Sequence, residues 1–411
     1  MNVADLVRDA LREQADQGAP MPGDFADRVL AARKRRRSRA VVGTSLVAAT
    51  AAVVAVAVPV LGHDSGSQEP RPASELQGDD VVAHPGQTPP RELIAAGDTA
   101  LAAYSTSKRV EEPDGDAVIT RTYRLLDQRT GTYRAAPRWS WLDIAPGMRT
   151  AAVLERGLPT RRIGLLNLIT GEVERWIPVD HGVGGVEFSP DGRKLVATTY
   201  ADDPDRLDKD RPINDGKHEE PGPADPTRTG FYVLDVASGK GSWSEVKTVK
   251  TKPGGWGMSD INTRQDFDFS QDGSLVHSGR IREPSEQYYD FAGRKKSAPA
   301  RERHLSWVVE ARLSPDGKLA AGDFAGSGGT TATEVLDPLT GKRVAKLPGQ
   351  QLLAWADDKR LIAWDIAPGT SEYRSRLVLV TVGSKKTVPL SGYRSSKADG
   401  VGRWTPVFAR R

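Results

Sequence analysis

Apolar and polar positions alternate along Val186-Glu187-Phe188-Ser189, break at Pro190-Asp191-Gly192, and resume at Lys194-Leu195-Val196-Ala197. A period of two on both sides of a Pro-Asp-Gly corner predicts strand, tight turn, strand. Proline presets φ for the turn, aspartate suits the second corner, and glycine takes the positive φ that follows. The phrase returns as Phe269-Ser270-Gln271-Asp272-Gly273-Ser274-Leu275 and as Leu313-Ser314-Pro315-Asp316-Gly317-Lys318-Leu319. Degenerate copies place Ala95, Ala145 and Ala356 at the serine position. The spacings from Ala95 onward are 50, 44, 81, 44 and 42 residues, so the period is about 44 and the long step holds an insertion. That insertion is the polar, proline-broken run 201–229.

A second pattern lies between these markers: an apolar strand, a turn ending in glycine, and another strand. Leu126 to Gly131, Leu165 to Gly171, Val233 to Gly239 and Val335 to Gly341 carry it. Each repeat therefore predicts two hairpins, four strands in about 44 residues, which is the unit of a propeller blade. One such unit leaves two edges and a half-buried face, and a ring of units covers them. The prediction is an all-β, six-bladed β-propeller over 91–411, seven blades being the alternative if two units are merged. Residues 401–408 follow the last unit as a candidate strand to close the ring against the first blade. Trp139, Trp141, Trp176, Trp243, Trp307, Trp355 and Trp364 fall mostly on predicted strands, as inter-blade packing requires.

The pattern is different before residue 91. Val3, Leu6, Val7, Ala10 and Leu11 keep helical spacing, so residues 2–16 predict a short amphipathic helix, and Asp24 caps a second around Phe25, Val29 and Leu30. This 1–39 segment reads as a frayed tail or as a docking segment for a cytosolic partner or the membrane surface. Six basic residues in Arg33–Arg39 then abut Ala40–Gly62, twenty-three residues without a charge. That run is about 35 Å long as a helix, enough for a single transmembrane span. The basic cluster puts the N-terminus inside and everything beyond residue 62 outside. A cleaved signal peptide is the competing reading, but a 39-residue leader and this apolar length exceed the usual signal. Residues 63–90, rich in Pro, Gly, Gln and Asp, read as a flexible linker.

Charge and composition sharpen this picture only locally. The net charge is +4, of which residues 1–39 supply +3 (nine Lys/Arg against six Asp/Glu) and the remainder +1 (49 against 48). A nearly neutral domain gives no case for nucleic acid as a partner. The chain has no cysteine, which excludes disulfides, thiolate chemistry and cysteine-based zinc sites.

The Phe-Ser-Pro-Asp-Gly-x-x-Leu turn followed by Leu-Asp-x-x-Thr-Gly resembles the WD40-like repeat of TolB-type propellers over about three quarters of the chain. It is less similar to eukaryotic WD40 domains, since His181-Gly182 is reversed and Trp364-Asp365 lies in the second strand of its unit. The whole layout resembles membrane-anchored "WD40 repeat domain-containing" proteins of actinobacteria, which implies an extracytoplasmic propeller. In such organisms a short cytosolic segment before a single span sometimes binds a sigma factor, and residues 1–39 resemble those segments loosely.

No catalytic, metal or cofactor residues are assigned from the sequence. The histidines, at 63, 84, 181, 218, 277 and 304, form no zinc motif. There is no Gly-x-Ser-x-Gly elbow, Walker loop or dinucleotide fingerprint. Asp202, Asp203, Asp205, Asp208, Asp210 and Asp215 invite a calcium reading, but Arg206 and Leu207 fall where ligands or glycine are needed, so the run reads as a solvated loop. Asp191, Asp272 and Asp316 read as turn structure rather than a ring of carboxylates. The expectation is a non-catalytic module on the cell membrane that binds a protein, peptide or envelope ligand. The alternatives are a transmembrane signalling protein and, third, a propeller enzyme such as a lyase or hydrolase.

Overall fold

Period-two patterning becomes strands throughout. The computed structural model describes residues 81–214, 219–248, 264–280, 284–326, 331–370, 373–395 and 403–411. All of them belong to one compact unit made of Glu69–Lys250 and Met258–Arg411. The expected tail, span and most of the linker lie outside the described residues. Every regular element among the described residues is a β-strand, and none of these residues forms a helix long and apolar enough to cross a membrane.

The strands run in successive antiparallel meanders. After β1 (Val81–Val82) and β2 (Ala95–Ala96), the first comprises β3 (Thr99–Glu111), β4 (Ala117–Asp127) and β5 (Thr132–Ala136). The second comprises β6 (Trp139–Ile144), β7 (Thr150–Glu155), β8 (Thr160–Asn167) and the start of β9 (Val173–Phe188). β9 then changes partners. Its residues 183–188 open the third meander against β10 (Lys194–Tyr200). β11 (Arg206–Asn214) and β12 (Glu219–Pro223) form a hairpin before the third continues with β13 (Arg228–Asp235) and β14 (Gly241–Glu245). The fourth is β15 (Asp268–Phe269), β16 (Val276–Gly279), β17 (Glu286–Tyr289) and β18 (Lys295–Lys296). In the fifth, a bridge at Leu313 precedes β19 (Ala320–Phe324), β20 (Ala332–Leu336) and β21 (Arg343–Pro348). The last is β22 (Gln351–Trp355), β23 (Arg360–Ile366), β24 (Ser375–Thr381) and β25 (Thr387–Pro389).

β26 (Thr405–Arg410) then returns to the first sheet and pairs with β3, from Thr405↔Ser105 to Arg410↔Thr99. The ring is closed by a strand from the far end of the chain, as expected for residues 401–408. Asp98 N–H also donates to Ala356 O at 2.7 Å, and Thr99 Oγ1 to Trp355 O at 2.7 Å. One core cluster accordingly joins the first, second and last meanders, with Leu101, Tyr104, Trp139, Trp364, Leu377 and Trp404 all buried in it. Meanders in sequence with the last strand completing the first sheet are the plan of a β-propeller. Residues 81–90, read as linker from composition, belong to this fold: β1 pairs with β2, and His84 bridges to Ser391.

The repeated turn has one geometry in its three full copies. Ser189, Ser270 and Ser314 are buried. Each hydroxyl donates to the aspartate two residues on (2.6, 2.7 and 2.8 Å) and accepts the N–H of Lys194, Leu275 or Leu319 (2.9, 3.0 and 3.0 Å). Gly192, Gly273 and Gly317 stand in the left-handed region, at φ 69°, 65° and 67° respectively. The serine therefore replaces a backbone partner that the corner cannot supply. Ser270→Ala should cost about 1–2 kcal/mol, because a buried N–H loses its acceptor. Urea unfolding of the variant beside the parent checks this, and an unchanged midpoint would contradict the role given to the hydroxyl.

Candidate functional site: an acidic inner ring

The marker turn also fixes what lies ahead of it. The residue just before it (Ile144, Phe188 or Phe269) is buried. Side chains alternate along a strand, so the residue two before it takes the opposite face. Those residues are Asp143, Glu187 and Asp268, on β6, β9 and β15, the leading strands of three consecutive meanders. Asp143 Oδ2 accepts the N–H of Phe188 from the next meander at 2.7 Å. The charge of Asp268 acts on Asp143, and Glu187 is acted on by Asp143, Asp268, Asp266 and Glu310. Groups from meanders that are not neighbours in the chain thus act on one another, so their strands face one common space. Only part of the water is displaced there, since the Asp268 side chain keeps 42 % of its surface open.

Enclosure within the ring raises these carboxyls, and mutual repulsion adds to it. Asp143 is pushed up to about 7, Asp268 to about 6, and Glu187 well above the usual carboxylate range. Among the described residues the Glu187 side chain has no hydrogen bond or ion pair. No arginine or lysine among the described residues pairs with Asp143 or Glu187, while one arginine lowers Asp268.

That arginine is Arg312, two before Ser314, where the three preceding repeats carry a carboxylate and the first and last carry Leu93 and Ala354. Its φ of 49° lies in the left-handed region. Its guanidinium pairs with both oxygens of Glu286 (Nη2 to Oε2 3.2 Å), with Glu302 at 2.9 Å and with the Tyr288 hydroxyl at 3.2 Å. The Glu286 and Glu302 side chains are 3 % exposed. His277 lies between this cluster and the arc, with Nδ1 3.7 Å from Glu286 and Nε2 3.9 Å from Asp268. It is buried, and neither ring nitrogen has a hydrogen-bond partner. Burial, with the Arg312 charge, pushes it down to about 3, so it is neutral and its unsatisfied ring faces the arc. A carboxylate arc of this kind can take a cation by giving up protons.

The 201–229 run is not the solvated loop expected of it. β11 pairs with β4 at Arg206↔Val118 and Leu207↔Ala117. Asp205 is buried and accepts two hydrogen bonds from Arg121 (2.6 and 2.9 Å) and two from Arg264 (2.7 and 2.7 Å). Burial pushes the Asp205 carboxyl up, but Arg264 and Arg121 outweigh it and hold the group below its usual value. The Arg264 guanidinium lies 3.7 Å from the Trp141 ring centre. Partners so distant in sequence leave no mark on the local pattern of the run.

Other sequence features remain structural. Asp191, Asp272 and Asp316 are consumed by their own turns. His181 stacks on Trp243 at 3.9 Å and lies 2.9 Å from the Tyr232 hydroxyl, while His84 pairs with Glu92 at 3.2 Å. His63 and His218 lie outside the described residues. Among the described residues one acidic trio is close enough to share an ion, Glu112, Asp114 and Asp116. Arg206 already pairs with Asp116 and Asp114 there. The arc at Asp143, Glu187 and Asp268 was missed by motif reasoning, although its fixed offset from the marker is visible in the sequence.

No family model matches the sequence, and comparison with curated proteins finds no match. Among solved structures the chain is similar to the oligogalacturonate lyase of Vibrio parahaemolyticus, at 14% identity and a TM-score of 0.43, covering 80% of this chain and 90% of that one. It is similar to TolB from Acinetobacter baumannii at 15% identity and 0.35, covering 73% and 68%. Hydrazine synthase of Kuenenia stuttgartiensis matches at 13% and 0.33 over 60% of this chain, which spans 63% of that one.

Proposed function

We propose that this chain is a binding module, a six-bladed propeller whose acidic inner arc receives a cationic ligand, a Lys- or Arg-rich peptide segment. The six blades are those led by β26, β6, residues 183–188 of β9, β15, Leu313 and β22. One observation carries the reading: Asp143, Glu187 and Asp268 come from three meanders to one space, with no cation among the described residues paired to Asp143 or Glu187. A basic side chain supplies the missing charge, and its entry lowers the carboxyls that enclosure had raised. Calorimetric titration of the full chain with pentalysine, near pH 8 and at low salt, tests this. The parent should bind, and D143N/E187Q/D268N should bind at least about tenfold more weakly, a loss of roughly 1.4 kcal/mol. Absence of binding to the parent, or undiminished binding by the variant, overturns the proposal.

The membrane reading is carried by Ala40–Gly62 and the preceding basic cluster, and it puts the ring outside the cell. Protease added to intact cells should then remove the domain, and its survival until lysis contradicts this topology. A propeller enzyme is a second reading, supported by Asp143, whose carboxyl near 7 suits proton transfer at neutral pH.

A further inference from the structure

A second cleft lies where the ring closes. Residues 84–92 cross from the last meander to the first. His84 N–H donates to Leu390 O at 2.9 Å, Gly392 N–H to Gln87 O at 2.8 Å, and Trp404 Nε1 to Thr88 Oγ1 at 3.2 Å. Leu93 N–H then reaches Gly131 O at 2.7 Å. Between this crossing and the first meander is a cleft of ≈ 530 Å³, whose lining includes Gln87, Pro90, Arg91, Tyr104, Arg124 and Tyr133.

Tyr104 and Tyr133 are buried, with ring centres 5.2 Å apart in an edge-on contact. Both hydroxyls are engaged by backbone: Tyr104 donates to Pro90 O at 3.0 Å and Tyr133 to Leu101 O at 2.7 Å. They offer ring surface rather than free polar groups. Arg91, on the crossing, and Arg124, on β4, are exposed. Among the described residues neither guanidinium has a hydrogen bond or ion pair. Arg121, Arg138, Arg162, Arg206, Arg264 and Arg312 are all paired with carboxylates. The nearest acid in the crossing, Glu92, is already held by Gln87 Nε2 at 3.1 Å and His84 at 3.2 Å.

The cleft thus holds two unneutralised guanidiniums beside an aromatic surface, with no carboxylate in its lining. We infer that it binds a small organic anion, a carboxylate or phosphate monoester with an apolar body. The oxyanion would take paired N–H donors from Arg91 and Arg124, which suits guanidinium geometry. The body would lie against the tyrosine rings. An occupant would join the crossing to the first meander and so tighten the ring at its closure. This inference is independent of the acidic arc.

Titration of the full chain at low salt with phenyl phosphate, benzoate and inorganic phosphate tests it. Phenyl phosphate or benzoate should bind at least threefold tighter than inorganic phosphate, and R91Q/R124Q should lose at least tenfold. Because both side chains are exposed and unpaired, that variant should keep the parent's unfolding midpoint, so lost binding is not lost folding. Tyr104→Leu should weaken the aromatic anions more than inorganic phosphate. No binding of either organic anion by the parent, equal binding in R91Q/R124Q, or equal affinity for inorganic and phenyl phosphate overturns the assignment.

Discussion

Arg312→Met should lower the free energy of unfolding by about 3–5 kcal/mol, the range for removing one partner of a buried ion cluster. Methionine replaces much of the volume, so the loss is mainly electrostatic. Glu286 and Glu302 would remain 3 % exposed with no cation between them. The left-handed backbone at Arg312 works in the opposite direction, since a non-glycine residue there costs about 1–2 kcal/mol. Arg312→Gly recovers that cost and still loses the guanidinium, so it too should be less stable than the parent. The conformation persists because Arg312 O accepts Ala321 N–H at 2.8 Å and Trp355 Nε1 at 3.3 Å.

The pH dependence separates charge from packing. In the parent, burial pushes Glu286 up, but the charges around it, Arg312 among them, hold it below its usual value. A depressed carboxyl contributes stability above its unfolded pKa, near 4.3, and that stability is lost as pH falls through the folded value. Without the guanidinium that burial is opposed mainly by His277 and the Tyr288 hydroxyl, so Glu286 should rise and the variant should gain stability as Glu286 takes up a proton. The deficit of R312M should be large at pH 8 and shrink toward pH 4.5. Chemical denaturation at both values decides it, and a deficit independent of pH would falsify the electrostatic account.

Architecture was legible in this sequence because a blade is a local object. Ser189, Ser270 and Ser314 form their turns with residues at most five positions away, so each copy carries its whole explanation. The closing strand was legible only as a remainder, since nothing in Thr405–Arg410 says that its partner is β3. The crossing at 84–92 was hidden for a different reason. Its prolines and glutamine have linker composition, and its order comes from backbone groups of Leu390, Gly392 and Gly131. Asp205 looked solvated because Arg121 and Arg264 lie 84 and 59 residues away. The acidic arc lies between these cases. Its position two before the marker recurs in three consecutive repeats and could be counted, but its charge interactions exist only once the ring brings β6, β9 and β15 together.

That ring makes the arc a cost to the empty fold, and D143N/E187Q/D268N should be more stable than the parent at pH 8. The sign follows from protons bound. Asp143, Glu187 and Asp268 are raised in the fold, so the folded state binds more protons than the unfolded chain above about pH 4. Stability then falls as pH rises from about 4 through 7 and levels off once the carboxyls are ionised. The gain of the variant at pH 8 should be on the order of 2 kcal/mol, less than the shifts alone imply, because water within the ring screens partly open groups. At pH 4.5 variant and parent should nearly coincide, the opposite trend to Arg312→Met. A cationic ligand draws on the same reserve. By favouring the ionised carboxyls it must expel protons, so pentalysine binding near pH 6 should release protons, strengthen toward pH 8, and fade in the variant. Calorimetry in two buffers of different ionisation enthalpy counts those protons. Binding with no proton release near pH 6 would mean that the peptide sits elsewhere, and a variant no more stable than the parent at pH 8 would mean that the three carboxyls do not share one space.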